Sequence, residues 1–213
     1  MPAHIDQCIP ASIASEIAEP PNRPGMQRIS VVGTTGSGKT TFAERLAGRL
    51  GYAHVELDSI HWGPGWTPLE TDEFRRRLAP HLAAESWVVD GNYGKVRDLV
   101  WARADTVVWL DYSLATIMGR LALRTYRRVA RREELWNGNR EHFRVQLFSR
   151  DSLFLWALRT YDRRRREIPE WLSMPAYAHL SLVRCQKPEE AKDWLRTLPG
   201  EPADDTVIDM KDL

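Results

Sequence analysis

Residues 33–40 spell GTTGSGKT, a complete match to G-x-x-x-x-G-K-[ST]. The requirement behind that pattern is anion binding. Its glycines let the backbone turn closely round a phosphate. The loop N–H groups and the positive end of the helix that follows supply the donors. Lys39 adds a point charge near the β and γ oxygens, and the Thr40 hydroxyl is placed for Mg²⁺. Thr41 comes next, within reach of the α-phosphate. Gly33, Thr34, Thr35, Gly36, Ser37, Gly38, Lys39, Thr40 and Thr41 are thus the expected site for ATP with Mg²⁺. The competing reading is a glycine-rich turn that holds nothing.

Three acids follow short apolar runs. Asp90 closes WVVD and precedes Gly91, Asn92 and Tyr93. It is the preferred holder of a Mg²⁺-bound water, with Asp111 in VVWLDYS as the alternative. Gly91 permits close backbone approach, while Asn92 and Tyr93 offer polar contacts to a substrate. Asp58 lies in HVELDSIHWGPGW and is read as the end of a strand. It is the candidate base for an acceptor hydroxyl, or a ligand of Mg²⁺-bound water. His61 and Trp62 are the candidate walls of the acceptor pocket, Gly63 to Gly65 form a turn, and Trp66 packs. A hydrophobic plug between two helices is the rival reading of that stretch. In an open parallel sheet all three acids stand at the carboxyl edge, where ligands bind.

Charge is uneven along the chain. Residues 120–166 hold 14 arginines, no lysine and five acids, although the whole chain carries a net charge of +1. A solvated helical face normally mixes lysine with arginine, so an all-arginine choice points to bidentate grips on phosphate or carboxylate. Arg124/Arg128 and Arg159/Arg163 are i, i+4 pairs, each sharing a helix face.

These residues need a scaffold. Apolar runs at 28–32, 53–57, 87–89, 106–110 and 180–183 read as strands buried on both faces. Helical patterns alternate with them. Residues 39–50 place Phe42, Leu46 and Leu50 on one face. Thr67-Pro68-Leu69-Glu70 reads as a capping box starting a helix that Pro80 kinks or ends. Ser113 caps a helix beginning at Leu114, and Pro188 opens the last one, to about residue 198. The alternation predicts an α/β fold with five parallel strands flanked by helices. Residues 26–199 form the expected domain, between a mobile N-terminal tail at 1–25 and an acidic C-terminal tail at 200–213. The helical stretch from 114 to 168 is too long for one crossover, so part of it is an insertion.

The remaining signals mostly exclude. No 18-residue apolar run suggests a membrane span, and no basic-then-apolar start suggests a secretory signal. Cys8 and Cys185, far apart, fit a reducing cytoplasm and no metal cluster. A guanine-selecting [NT]-K-x-D is missing, since AKDW at 191–194 has the wrong first residue. A small kinase or small ATPase remains.

The chain resembles the adenylate-kinase-like P-loop kinases, and more closely the bacterial topology modulation protein family. GTTGSGKTT, ELDSIHWGPGW, WVVDGNY, ADTVVWLDYS, ELWNGNRE and LRTYDRRRR carry the resemblance over about residues 27–198. It implies the nucleoside-monophosphate-kinase fold with a helical, arginine-rich lid at about 120–166. The spacing of Arg120 and Arg124 after Asp111 matches adenylate kinases, which implies Arg120 beside adenine and Arg124 on the phosphates. Lid closure would bring in Arg124, Arg128, Arg159 and Arg163, with 136–141 (WNGNRE) as a lid-tip turn. Two departures bear on the acceptor. Adenylate kinases have DGFPR where this chain has DGNY. Its loop after the second strand starts with an acid, as in shikimate- and gluconate-type kinases.

The expected function is transfer of the γ-phosphoryl of Mg-ATP to a small-molecule or nucleotide acceptor near Asp58. An ATP-binding or ATP-hydrolysing regulatory protein is the first alternative. The second, less favoured, is a nucleic-acid 5′-hydroxyl kinase, for which Tyr126, Trp136, Phe143, Phe148, Phe154, Trp156 and Tyr161 would stack bases.

Overall fold

A computed structural model describes residues 25–131 and 153–200, with side chains to 127 and from 153. The expected tails, apart from Gly25 and Gly200, and the expected lid-tip turn at 136–141 lie outside the described residues. So do Trp136, Phe143, Phe148 and the side chain of Arg128.

The chain alternates strand and helix. β1 (Arg28–Gly33) runs into the glycine loop and then α1 (Lys39–Leu50). β2 (Ala53–Glu56) passes directly into a one-turn helix, α2 (Leu57–His61), and a 3₁₀ turn at Pro64–Trp66. Next come α3 (Thr71–Leu82), β3 (Trp87–Asp90), α4 (Arg97–Trp101) and β4 (Thr106–Leu110). Two long helices follow, α5 (Leu114–Arg131) and α6 (Leu153–Leu172). β5 (Ser181–Cys185) and α7 (Pro188–Thr197) complete the described chain.

All five strands are parallel, in the order β2-β3-β1-β4-β5. β1 lies between β3 and β4, so the crevice outside its carboxyl end is the topological switch point of the sheet. The glycine loop leaves β1 at that place. The inner strands β1, β3 and β4 read as continuous apolar runs because each buries both faces, whereas the edge strands β2 and β5 are mostly part-exposed. Ile29, Val31, Val88 and Val108 pack on α1, α5 and α7 through Phe42, Leu46, Leu121 and Trp194. Trp87, Val89, Val107 and Trp109 face the other way, onto Phe74 and Leu78 of α3, Trp101 of α4 and Ile168 of α6. Among the described residues no helix is long and apolar enough to cross a membrane.

Several local expectations hold. α1 has the predicted span, Ser113 Oγ accepts the Thr116 N–H at 3.2 Å, and Pro188 is at the start of α7. Three need correction. Asp58 does not end β2: Glu56 does, and Asp58 sits in the first turn of α2. The Thr67–Glu70 pattern does not open a helix; α3 starts at Thr71 with Glu70 as its extended N-cap residue. The Thr67 hydroxyl instead donates to the Pro64 carbonyl at 2.9 Å, and Gly63 N–H reaches the Thr67 carbonyl at 2.8 Å. These bonds, with the Leu69 N–H to His61 carbonyl bond at 2.9 Å, pin 62–69 as a folded-back loop. Finally, β5 runs to Cys185, two residues beyond the expected strand.

Candidate functional site

The glycine loop forms as its spacing requires. Gly38 is in the left-handed region, with φ 86°, and a Cβ there would lie 3.3 Å from the Arg120 guanidinium. The Phe42 N–H bonds the Gly38 carbonyl at 3.0 Å, so α1 begins on the loop. Thr34 and Ser37 are buried, Thr35 and Gly36 partly exposed, and Thr41 half-buried in the first turn of α1. Lys39 Nζ donates to the Thr34 carbonyl at 3.2 Å. Burial lowers the Lys39 pKa. Asp58 and Asp90 oppose that shift, and Arg124 and Arg164 reinforce it. Four charged groups, two carboxylates and two guanidiniums from α2, β3, α5 and α6, therefore converge on one ammonium.

Oxygen donors gather beside it. The Thr40 hydroxyl lies 3.1 Å from Glu56 Oε1 and 3.5 Å from Asp90 Oδ1. Asp90 is almost fully buried, and its other oxygen meets His54 Nε2 at 3.0 Å. A hydroxyl and two carboxylates suit a hard cation such as Mg²⁺. No group of three or more His, Cys, Asp or Glu side chains is placed to hold a metal among the described residues. Asp111, the alternative, is engaged elsewhere. Arg165 Nε lies 2.9 Å from its Oδ1, and Arg184 Nε donates to its Oδ2 at 3.0 Å.

Asp58 accepts a hydrogen bond from the Tyr93 hydroxyl at 2.5 Å. Burial, then the charge and hydrogen bond of Asp58, push the Tyr93 pKa well up, so the phenol stays a donor. Asn92 clamps the start of the glycine loop: its Oδ1 accepts the Gly33 N–H at 3.2 Å and its Nδ2 donates to the Gly33 carbonyl. His61 is buried, its ring centroid 4.6 Å from Tyr93, 4.8 Å from Phe74 and 5.0 Å from Trp62. His61 and Trp62 thus pack behind Tyr93, which itself lines the adjoining cleft.

The arginines divide by helix phase. Arg120 lies across the loop, Nη1 donating to the Ser37 carbonyl at 2.9 Å, with its guanidinium 4.8 Å from the Tyr112 ring centroid. Arg124 is close enough to act on Lys39. Arg159 is exposed, and Arg163, also exposed, stands 3.8 Å from Glu167. The α6 arginine that turns toward the glycine loop is Arg164, whose Nη2 donates to the Asn92 carbonyl at 3.1 Å. Sequence reading missed Arg164, although a signal was there: Thr160 and Ile168, four residues either side, are both buried. It also missed Glu56, and His54 as the partner of Asp90.

A family model described as AAA domain matches residues 29–144, from β1 through α5 into the segment beyond it. The chain belongs to this AAA domain family. Solved structures similar to this AAA domain include shikimate kinase from Bacteroides thetaiotaomicron, at 16% identity and TM-score 0.48, covering 80% of this chain and 94% of that one. A gluconokinase from Sinorhizobium meliloti 1021 is similar at 22% identity and TM-score 0.46, over 82% of this chain and 94% of that one. Likenesses of that size say nothing about a substrate. No curated protein matches the AAA domain's sequence.

Proposed function

We propose that this AAA domain is a kinase that moves the γ-phosphoryl of Mg-ATP to the hydroxyl of a small-molecule or nucleotide acceptor beside Asp58. The observation that carries the reading is a carboxylate, Asp58, held by Tyr93 within electrostatic reach of the glycine-loop lysine. The resemblance to adenylate-kinase-like enzymes, and to the topology modulation branch, rests on the same residues and is part of the proposal.

The loop N–H groups and Lys39 bind the triphosphate, and Arg120 covers the loop where the nucleotide base would emerge. Thr40, Asp90 and Glu56 would hold Mg²⁺, whose charge offsets that of the β and γ phosphates when bound. Asp58 orients the acceptor O–H and takes its proton as the oxygen bonds to the γ phosphorus. The bond from the γ phosphorus to its bridging oxygen breaks, and ADP leaves with that electron pair. Arg124 and Arg164 face the charge spread over the equatorial oxygens. Arg128, Arg159 and Arg163 are kept as arginines that closure of a lid at about 120–166 would recruit, excluding water from the transfer.

The test is ATP consumption with a panel of nucleosides, nucleotides and hydroxyl metabolites, run on the wild type and on Lys39→Ala. Acceptor-stimulated ADP release that disappears in Lys39→Ala is expected. Transfer retained in that variant would sink the site, and ATP turnover indifferent to every acceptor would favour an ATP-hydrolysing sensor.

A further inference from the structure

A narrow cleft, partly open to solvent, adjoins Asn92 and Tyr93 and runs between α4 and α6. Trp101 and Trp171 line it, their ring centroids 6.3 Å apart, and two arginines share that wall. The Arg97 guanidinium carbon lies 3.5 Å from the Trp171 ring centroid, and that of Arg164 lies 6.0 Å from it. Arg97 Nε is buried and has no hydrogen-bond partner among the described residues. Arg164 spends one nitrogen on the Asn92 carbonyl, and the Glu167 carboxylate stands 3.8 Å from its Nη1. Burial lowers the Arg164 pKa, Glu167 opposes the shift, and Arg163 and Arg97 add to it by like-charge repulsion.

One guanidinium stacked on the indole and a second at its edge of reach, with a donor left unmatched, make an unbalanced arrangement. Removing a donor from water without a partner costs free energy, and so does placing like charges together. A planar or tetrahedral oxyanion between them corrects both, because each guanidinium presents paired N–H donors in a fixed fork. The aromatic floor meanwhile suits the carbon skeleton that would carry the anion. The cleft also points at the chemistry: Tyr93 borders it and donates to Asp58.

We propose that Arg97 and Arg164 form an oxyanion subsite, so that the acceptor is a hydroxyl compound carrying a carboxylate or phosphate. The class of acceptor rests on the kinase reading above; the anion subsite itself does not.

Calorimetric titration of the full chain, with the glycine loop filled by Mg²⁺ and a non-hydrolysable ATP analogue, tests the subsite directly. The probes are inorganic phosphate and acetate, which separate a phosphate from a carboxylate preference, with acetamide as the uncharged control. One anion binds with unit stoichiometry, acetamide does not, and Arg97→Met weakens the anion about ten-fold or more. Equal analogue affinity in wild type and Arg97→Met shows the variant is folded. Should Arg97→Met fail to fold, Arg97→Lys is titrated instead. It keeps the charge and loses the fork, and a several-fold loss is expected. Absence of anion binding, or binding indifferent to the Arg97 substitution, overturns the proposal. Failure of the kinase reading looks different: the anion binds through Arg97, yet no hydroxyl compound stimulates ATP consumption. If instead uncharged acceptors are phosphorylated as well as their anionic counterparts, and Arg97→Met changes neither, the subsite falls while the kinase stands.

Discussion

His54 Nε2 stands 3.0 Å from Oδ2 of Asp90, the almost fully buried carboxylate whose other oxygen faces the Thr40 hydroxyl. The imidazole approaches Asp90 on the side away from Thr40 and leaves Oδ1 directed at the glycine loop. His54→Ala removes this partner and leaves the carboxylate under-satisfied. The expected cost is about 1–3 kcal/mol in urea unfolding, together with weaker Mg²⁺-dependent binding of an ATP analogue. An unchanged midpoint would mean that Asp90 keeps its place without the imidazole.

Asp58 and Tyr93 separate a catalytic carboxylate from a merely structural one. Asp58→Asn is expected to preserve ATP affinity and lower kcat by about 10²–10⁴-fold, the usual scale for a lost general base. Tyr93→Phe keeps the carboxylate and removes its donor, so its loss should be smaller. Single-turnover transfer measured alongside nucleotide binding checks both. Unchanged transfer in Asp58→Asn would remove Asp58 from the mechanism.

His61 makes stability depend on pH. Burial, with the Lys95 charge adding, pulls its pKa below the ordinary histidine value, and Asp58 opposes the shift. Its Nδ1 is buried without a hydrogen-bond partner among the described residues. The folded state therefore favours the neutral ring, while the unfolded chain takes up a proton near pH 6.5. The contribution is complete above about pH 6.5 and is lost as pH falls from there through the lower folded pKa, at no more than about 1.4 kcal/mol per pH unit. Thermal unfolding of wild type and His61→Phe from pH 8 to pH 5 should show the wild type losing ground on the acidic side. Parallel curves would show that His61 protonates as easily folded as unfolded.

Gly91 follows Asp90 and packs against Leu57, in the helix that carries Asp58. It has φ +133°, and a Cβ there would come within 2.8 Å of Leu57 Cβ. Gly91→Ala should cost about 1–3 kcal/mol for the backbone alone. It should also displace α2, so acceptor-dependent transfer should fall more than nucleotide binding. Urea unfolding and steady-state kinetics on the same preparation test this, and a variant with wild-type stability would contradict the close packing.

Helix phase gives an ordering for the arginine run. Arg164 reaches Asn92 and acts on Lys39, whereas Arg163 is exposed near Glu167. Arg164→Ala should therefore lower kcat further than Arg163→Ala. The reverse order would mean that lid movement re-aims α6.

Much of this arrangement is local and could be read from residues 33–41, the apolar runs and the caps. A loop that must wrap an anion needs glycines and a lysine at fixed offsets. A strand buried on both faces must be apolar throughout. Ser113 and Pro188 act on backbone groups only a few residues away. Those constraints operate within one turn or one strand, so the order of residues determined them. The choice between Asp90 and Asp111 was of another kind. Both end apolar strands, and sheet order alone put Asp90 beside Thr40 and His54 while Arg165 and Arg184, from α6 and β5, took Asp111. Likewise, the i, i+4 rule picked Arg159 and Arg163 as a pair, yet packing against the sheet set the rotation of α6 that turned Arg164 inward. Glu56 and Asp58 sit two residues apart, and the immediate start of α2 sent one to Thr40 and the other to Tyr93. The meeting of Arg97 with Trp171 had no sequence signature, because it joins α4 to α6 across 74 positions in the chain. Tertiary structure decided these, since ion pairs and stacked rings depend on which distant elements the sheet brings to one edge.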